Sequence, residues 1–269
     1  VMRKNAWVIC CCTAVLAAFG TFFRWLQDQV CFEAETGLAV RGSIWPYAVA
    51  LMIVIAAVVL AVVCFRMKNQ PHTSFPDSLP AAFVAAPRVR TIGGVVLGAL
   101  LAVGGAWLMI SSGTLSSPGL QRVLAALTIV TGAAFIWQML SIGDGETTSG
   151  TVVCASMPIV LLAFWLIVSY KVNIINPTVS AYAVEILALC AALIAFYELA
   201  GFAYGRPKAI RSIFWSQFAA FLCITALPDD RTGGQQLMLA AIAGMLLFQS
   251  YLTASNIRPA VSGPVGGAQ

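Results

Sequence analysis

Two carboxylates, Glu185 and Glu198, interrupt the apolar stretch AYAVEILALCAALIAFYELAG at residues 181–201. An ionisable side chain in such a stretch is expensive. Where one persists it pairs with another group, lines a polar path or binds an ion. With the stretch centred near residues 191 and 192, a rise of about 1.5 Å per residue puts each carboxylate about 10 Å from the midplane and about 5 Å inside the hydrocarbon edge. Thirteen positions separate them, which at about 100° per residue turns them roughly 140° apart around a helix. They do not share a face, so a proton wire along one side of this helix is disfavoured. Each needs its own partner: Lys171 or Arg231 for Glu185, which has Tyr182 one turn away, and Arg206 or Arg211 for Glu198.

Glu198 has polar company at its depth. Gln138, Gln217 and Gln249 fall in the same layer of three other apolar runs, with Ser141, Ser216, Ser250, Tyr197 and Tyr251 in or beside it. Two readings are open. The four side chains hydrogen-bond across helices and specify how the bundle assembles, at about 0.6 kcal/mol per contact. Alternatively they line a vestibule open to the cytoplasm, where a carboxylate and amides bind a cation, a proton or a small polar solute. The first is preferred because membrane bundles commonly use such contacts. The second is the one feature that resembles a site. Glu185, the second intramembrane acid, reads as structural.

The elements that position these residues follow from composition. Sixty per cent of the 269 residues are hydrophobic and 9% are charged, far from a soluble mixture. Eight apolar runs are long enough to cross a hydrocarbon core, which takes about 17 to 25 residues, at 6–23, 45–65, 91–110, 121–142, 151–170, 179–204, 212–228 and 237–256. In lipid their backbone groups must be satisfied internally, so each is expected to be a helix. The predicted fold is an all-α integral membrane bundle of eight helices, a single domain over 1–256 followed by a flexible cytoplasmic tail at 257–269. Arg3 and Lys4 before the first run resemble a secretory signal. However, that run meets Arg24 and Trp25 with no small-residue cleavage site before them, so it reads as a retained anchor.

Orientation follows from the basic residues. With the N-terminus inside, Arg3, Lys4, Arg66, Lys68, Arg88, Arg90, Arg206, Lys208, Arg211 and Arg258 are cytoplasmic, against Arg24, Arg41, Arg122, Lys171 and Arg231 outside. Both termini are then cytoplasmic. All seven tryptophans, Trp165 among them, lie near predicted boundaries, where amphipathic rings favour the headgroup level. The net charge of +5 serves orientation and needs no nucleic acid.

Reaction classes are excluded more readily than proposed. The single histidine, His72, leaves no H-E-x-x-H zinc site and no histidine base beside an intramembrane serine. G-x-S-x-G and phosphate-cradling loops are missing, and Asp229 and Asp230 stand alone at a helix end. SIGDG (141–145) lacks the first glycine of the G-x-G-D of intramembrane aspartyl proteases, and no second intramembrane aspartate exists to pair with it. Cys10, Cys11 and Cys12 lack C-x-x-C spacing and read as small buried hydrophobes, while Cys31 has nothing outside to pair with. No catalytic residue, metal or cofactor is expected.

Packing devices are legible. Gly94, Gly98, Ala102 and Ala106 form a small-residue stripe, Gly201 and Gly205 repeat the device, and Pro158 should kink its helix. QRVLAAL (121–127) and QQLMLAAI (235–242) hint at duplication without establishing it. In the inner loop 66–90, Ser78 is expected to cap a short turn that lays Phe83 and Val84 on the membrane surface. The outer loop RWLQDQVCFEAETGLAVRGS, with F-x-x-E-T-G-L, resembles uncharacterised multi-pass membrane proteins of anaerobic Gram-positive bacteria. That resemblance implies a bacterial cytoplasmic membrane and imports no activity. Within the loop, Glu33 and Glu35 read as a solvated turn in preference to a Ca²⁺ or partner site. The expectation is a non-catalytic membrane component (scaffold, sensor or accessory subunit), or alternatively a small permease acting at Glu198. Its partners are the bilayer and a membrane protein or a second copy.

Overall fold

Backbone amides cannot stay unpaired in hydrocarbon, and the apolar runs close on themselves as helices. The computed structural model describes residues 2–31, 43–69, 73–83, 87–115, 117–142, 149–174 and 179–259. Glu33, Glu35, His72, Val84, residues 143–145 of SIGDG and the tail from 260 lie outside the described residues. The helices are α1 Met2–Val30, α2 Trp45–Lys68, α3 Leu79–Ala82, α4 Pro87–Ser111, α5 Pro118–Ser141, α6 Ser149–Asn173, α7 Val179–Ala203, α8 Ala209–Thr225 and α9 Gly233–Ser255. Prolines sit in the first turns of α2 and α5, where no intrahelical N–H is lost. A two-residue antiparallel pairing of β1 (Thr73–Ser74) with β2 (Arg258–Pro259) ties the segment after α9 to the loop after α2.

The protein is a multi-pass membrane protein in architecture: seven helices are long and apolar enough to cross a bilayer. The remaining apolar run, 212–228, forms α8, which at 17 residues is about 25 Å long against a core of about 30 Å. Each helix from α4 to α9 packs against the next, and α9 returns to α4, so six helices close a ring. The helices α1 and α2 pack on α8, and α1 also touches α9. As a result α8 is the most enclosed, with Ile213, Ala219, Phe221 and Leu222 fully buried.

The tightest seam is α4 on α5. A Cβ on Gly132 would stand 2.5 Å from the Gly98 carbonyl oxygen, and one on Gly98 would stand 2.7 Å from that of Gly132. The small-residue stripe therefore does bring two backbones together, but it drifts. Gly105, not the exposed Ala106, meets Ala125 and Thr128 at the far end, because a helix of 3.6 residues per turn does not keep a strict four-residue repeat on one face.

Several expectations are corrected. The helix α1 runs past residue 23 to Val30 and carries Arg24 inside the fold, 1% exposed. Gly205 makes no packing contact; it takes φ +68° just after α7, and the Arg206 N–H donates back to the Gly201 carbonyl at 2.8 Å. This is a helix stop for which glycine carries no steric penalty. Ser78 does cap α3, accepting from the Ala81 N–H at 3.4 Å. Phe83, however, is fully buried instead of lying on the membrane surface, since α3 folds back against α7 and the Asn256 amide donates to the Ala82 carbonyl at 2.8 Å. Trp165 is buried too. Cys31 is buried and contacts the Ser43 hydroxyl at 2.8 Å.

Gly132→Val should lower stability by about 1–3 kcal/mol through overpacking of the α4–α5 seam. Gly119→Ala, where a Cβ meets nothing, should change it by less than about 0.5 kcal/mol. Unfolding of the purified protein in detergent checks both.

Candidate functional site

The close approach of α1 to α8 starts at Gly20, where a Cβ would collide with the Thr225 hydroxyl at 2.5 Å. Beside it, Thr21 donates to the Ile224 carbonyl at 3.1 Å. One turn further on, Arg24 is delivered to the turn that joins α8 to α9. Its Nε donates to Asp229 Oδ1 at 2.6 Å, its Nη1 donates to Gln27 Oε1 at 3.0 Å, and its Nη2 faces Asp28 at 3.9 Å. Local sequence sets the turn. Thr232 caps α9 by accepting from the Gln235 N–H at 3.4 Å, and Gln236 donates to the Leu227 and Asp229 carbonyls, both at 3.4 Å. Asp229 and Asp230 precede the α9 N-terminus, where negative charge is favoured.

Asp229 is shared. Its Oδ2 accepts from Arg231 Nη2 at 2.7 Å, while Arg231 Nη1 donates to the Ala226 carbonyl at 3.0 Å and Nε faces Glu185 at 3.4 Å. Of the two partners expected for Glu185, Arg231 is the one in place. The Ser169 hydroxyl and the Trp165 indole lie beside the same carboxylate. The network joins α1, α7 and the α8–α9 turn with its charges largely buried. Such charges are tolerated only when paired and hydrogen-bonded.

These groups wall a cavity of about 510 Å³ at one end of the bundle, within the usual range of small-molecule sites. Arg24 and Asp28 come from α1, Trp165, Ser169 and Asn173 from α6, and Tyr182 and Glu185 from α7. Gln121 of α5 and Gln235 of α9, which open the two similar segments QRVLAAL and QQLMLAAI, complete the wall. The Gln121 carbonyl oxygen, Oε1, is buried and has no hydrogen-bond partner among the described residues.

The four residues of the layer around Glu198 keep separate partners. Glu198 pairs with Arg211 at 2.6 Å, one of its two expected partners, and borders a separate cavity of about 550 Å³ with Tyr197, Tyr204, Arg206 and Lys208. Gln217 donates to Ser250 at 3.0 Å and to Cys10 Sγ at 3.4 Å. Gln138 and Gln249 are buried on α5 and α9. No hydrogen bond or ion pair joins any two of Glu198, Gln138, Gln217 and Gln249, all of them described residues. Equal depth in four helices did not mean a common direction around them. The Oε1 atoms of Gln217 and Gln249 are buried without a partner, and neither residue lines the two polar cavities.

Sequence reasoning missed Arg24, Asp28, Gln121, Trp165 and Asp229. One signal was available: Arg24 and Asp28 are four residues apart, a pair spaced for a continuing helix. Compared with known proteins, the chain matches no family model, no curated protein and no solved structure.

Asp229→Asn should cost about 3–5 kcal/mol, because it strips a buried guanidinium of its counter-charge. Asp230→Asn, at an exposed position, should stay within about 0.5 kcal/mol. Denaturation of the two variants in the same detergent gives the comparison.

Proposed function

We propose that the protein is a non-catalytic multi-pass component of a bacterial cytoplasmic membrane that binds a small polar solute. The site is the cavity walled by Arg24, Asp28, Gln121, Glu185, Asp229 and Arg231, not the layer around Glu198. One observation carries the reading: at a single end of the bundle, five buried or half-buried ionic side chains and an unpartnered buried amide oxygen converge on a cavity of ligand size. Intramembrane charges and pockets with a few convergent polar groups are the usual marks of a binding site.

All eight long helices cross the membrane in this reading, with both termini in the cytoplasm. Support for the eighth crossing comes from the course of α8. It runs parallel to α1, with Gln217 at Cys10, Ile224 at Thr21 and Asp229 at Arg24. It therefore covers the depth of a helix that is itself long enough to cross. The cavity then opens outward, while Gln217 and Ser250 act as glue between α8 and α9.

In a background without native cysteines, Lys208→Cys and Asp230→Cys should label from opposite sides of sealed, oriented vesicles. Ser169→Cys, buried at the cavity wall, should label from the Asp230 side with an impermeant maleimide, and Ser216→Cys, fully buried in α8, should not. A silent position 169 beside a reactive 230 would remove the solute site.

A further inference from the structure

We infer that the solute taken by this cavity carries an ammonium group, an inference that rests on the cavity being the solute site. The two guanidiniums in the wall are already engaged. The three nitrogens of Arg24 face Asp229, Gln27 and Asp28, and the three of Arg231 face Ala226, Asp229 and Glu185. An anionic ligand would find only the second N–H of each Nη atom, and would have to sit among four carboxylates.

Acceptors, in contrast, are in surplus. Four of the chain's ten acidic residues line this one cavity, Asp28, Glu185, Asp229 and Asp230, against two basic ones. The described wall thus has a formal charge of −2, four carboxylates less two guanidiniums. Asp28, which lines the cavity, faces Arg24 at 3.9 Å and its side chain is 25% exposed. Gln121 adds a neutral acceptor, its Oε1 buried and unpartnered at the wall. An amide oxygen in that state is costly until it meets a donor.

An ammonium suits the wall better than a metal held by side-chain ligands: among the described residues, no group of three acidic, histidine or cysteine side chains is placed to hold a metal ion. An ammonium directs several N–H groups at separated oxygens. The aromatic rings of Trp165 and Tyr182 in the same wall suit a cation with apolar substituents.

The test uses the full chain in detergent and three probes, methylammonium, choline and 1,4-diaminobutane, with propionate and propanol as the anionic and neutral comparisons, all at matched ionic strength. At least one ammonium probe should raise the melting temperature and protect Ser169→Cys from maleimide, while propionate and propanol do neither. Asp28→Asn and Gln121→Leu, which leave the Arg24–Asp229–Arg231 pairs in place, should each weaken that effect about tenfold or more. Glu185→Gln should do the same where it folds. Protection by propionate or propanol with all three ammonium probes inert would overturn the ammonium assignment and leave the solute site standing. A position 169 that never labels would instead overturn the site itself. An ammonium effect undiminished in both Asp28→Asn and Gln121→Leu would place the cation elsewhere and overturn the inference.

Discussion

Asp229 holds two guanidiniums at once, accepting from Arg24 at 2.6 Å and from Arg231 at 2.7 Å, and much of this end of the bundle depends on that arrangement. Neither arginine could sit inside the fold alone, because desolvating an unpaired charge costs several kcal/mol or more. With Asp229 between them, α1 continues as a helix through Arg24 to Val30 instead of stopping where its apolar run ends. The α8–α9 turn is locked to α1 by one oxygen and to α7, through Arg231, by the other. The cavity wall is a by-product of that clamp: charges that must meet leave space between the helices that bring them.

The two glutamates of α7 show how one helix serves both ends of a membrane bundle. Glu185 meets Arg231, which is itself nearly buried, whereas Glu198 meets Arg211, whose side chain is 58% exposed. The first pair is shielded from solvent and the second is screened by it, so only the first constrains geometry strongly. Between them α7 is apolar, with Ala188, Leu189, Ala192 and Ala195 fully buried. The polar contacts are therefore sorted by depth, with ion pairs near the ends and single interhelical bonds such as Gln217 to Ser250 further in. Where close packing takes over, as at Gly98 and Gly132, van der Waals contact does what burial of apolar surface does in water.

A site at the end of a bundle has a physical advantage over one in a mid-depth layer. At the ends, helices stop and turn, so side chains from several elements can converge without breaking any helix. The α8–α9 turn supplies Asp229, Asp230 and Arg231 to the same cavity in this way. Midway along the helices, a polar side chain points wherever its helical phase sends it. Glu198, Gln138, Gln217 and Gln249 illustrate the result: a common depth, and no shared contact.

Composition and periodicity alone determined that the chain is helical and membrane-embedded, roughly where each helix begins and ends, and that α4 would pack through glycine. These properties are local, because a run of twenty apolar residues must satisfy its own amides whatever surrounds it. The partners of both glutamates were narrowed to two choices each by depth, and one of each pair is in place. Only the tertiary structure decided which polar groups meet. Arg24 and Asp229 are 205 residues apart in the chain, and no local pattern relates them. Depth can be counted along a helix, but direction around it acquires meaning only once the neighbours are known. For that reason Glu198 stood out in the sequence, while Gln121 and Trp165 took on a role only when α5 and α6 closed the ring.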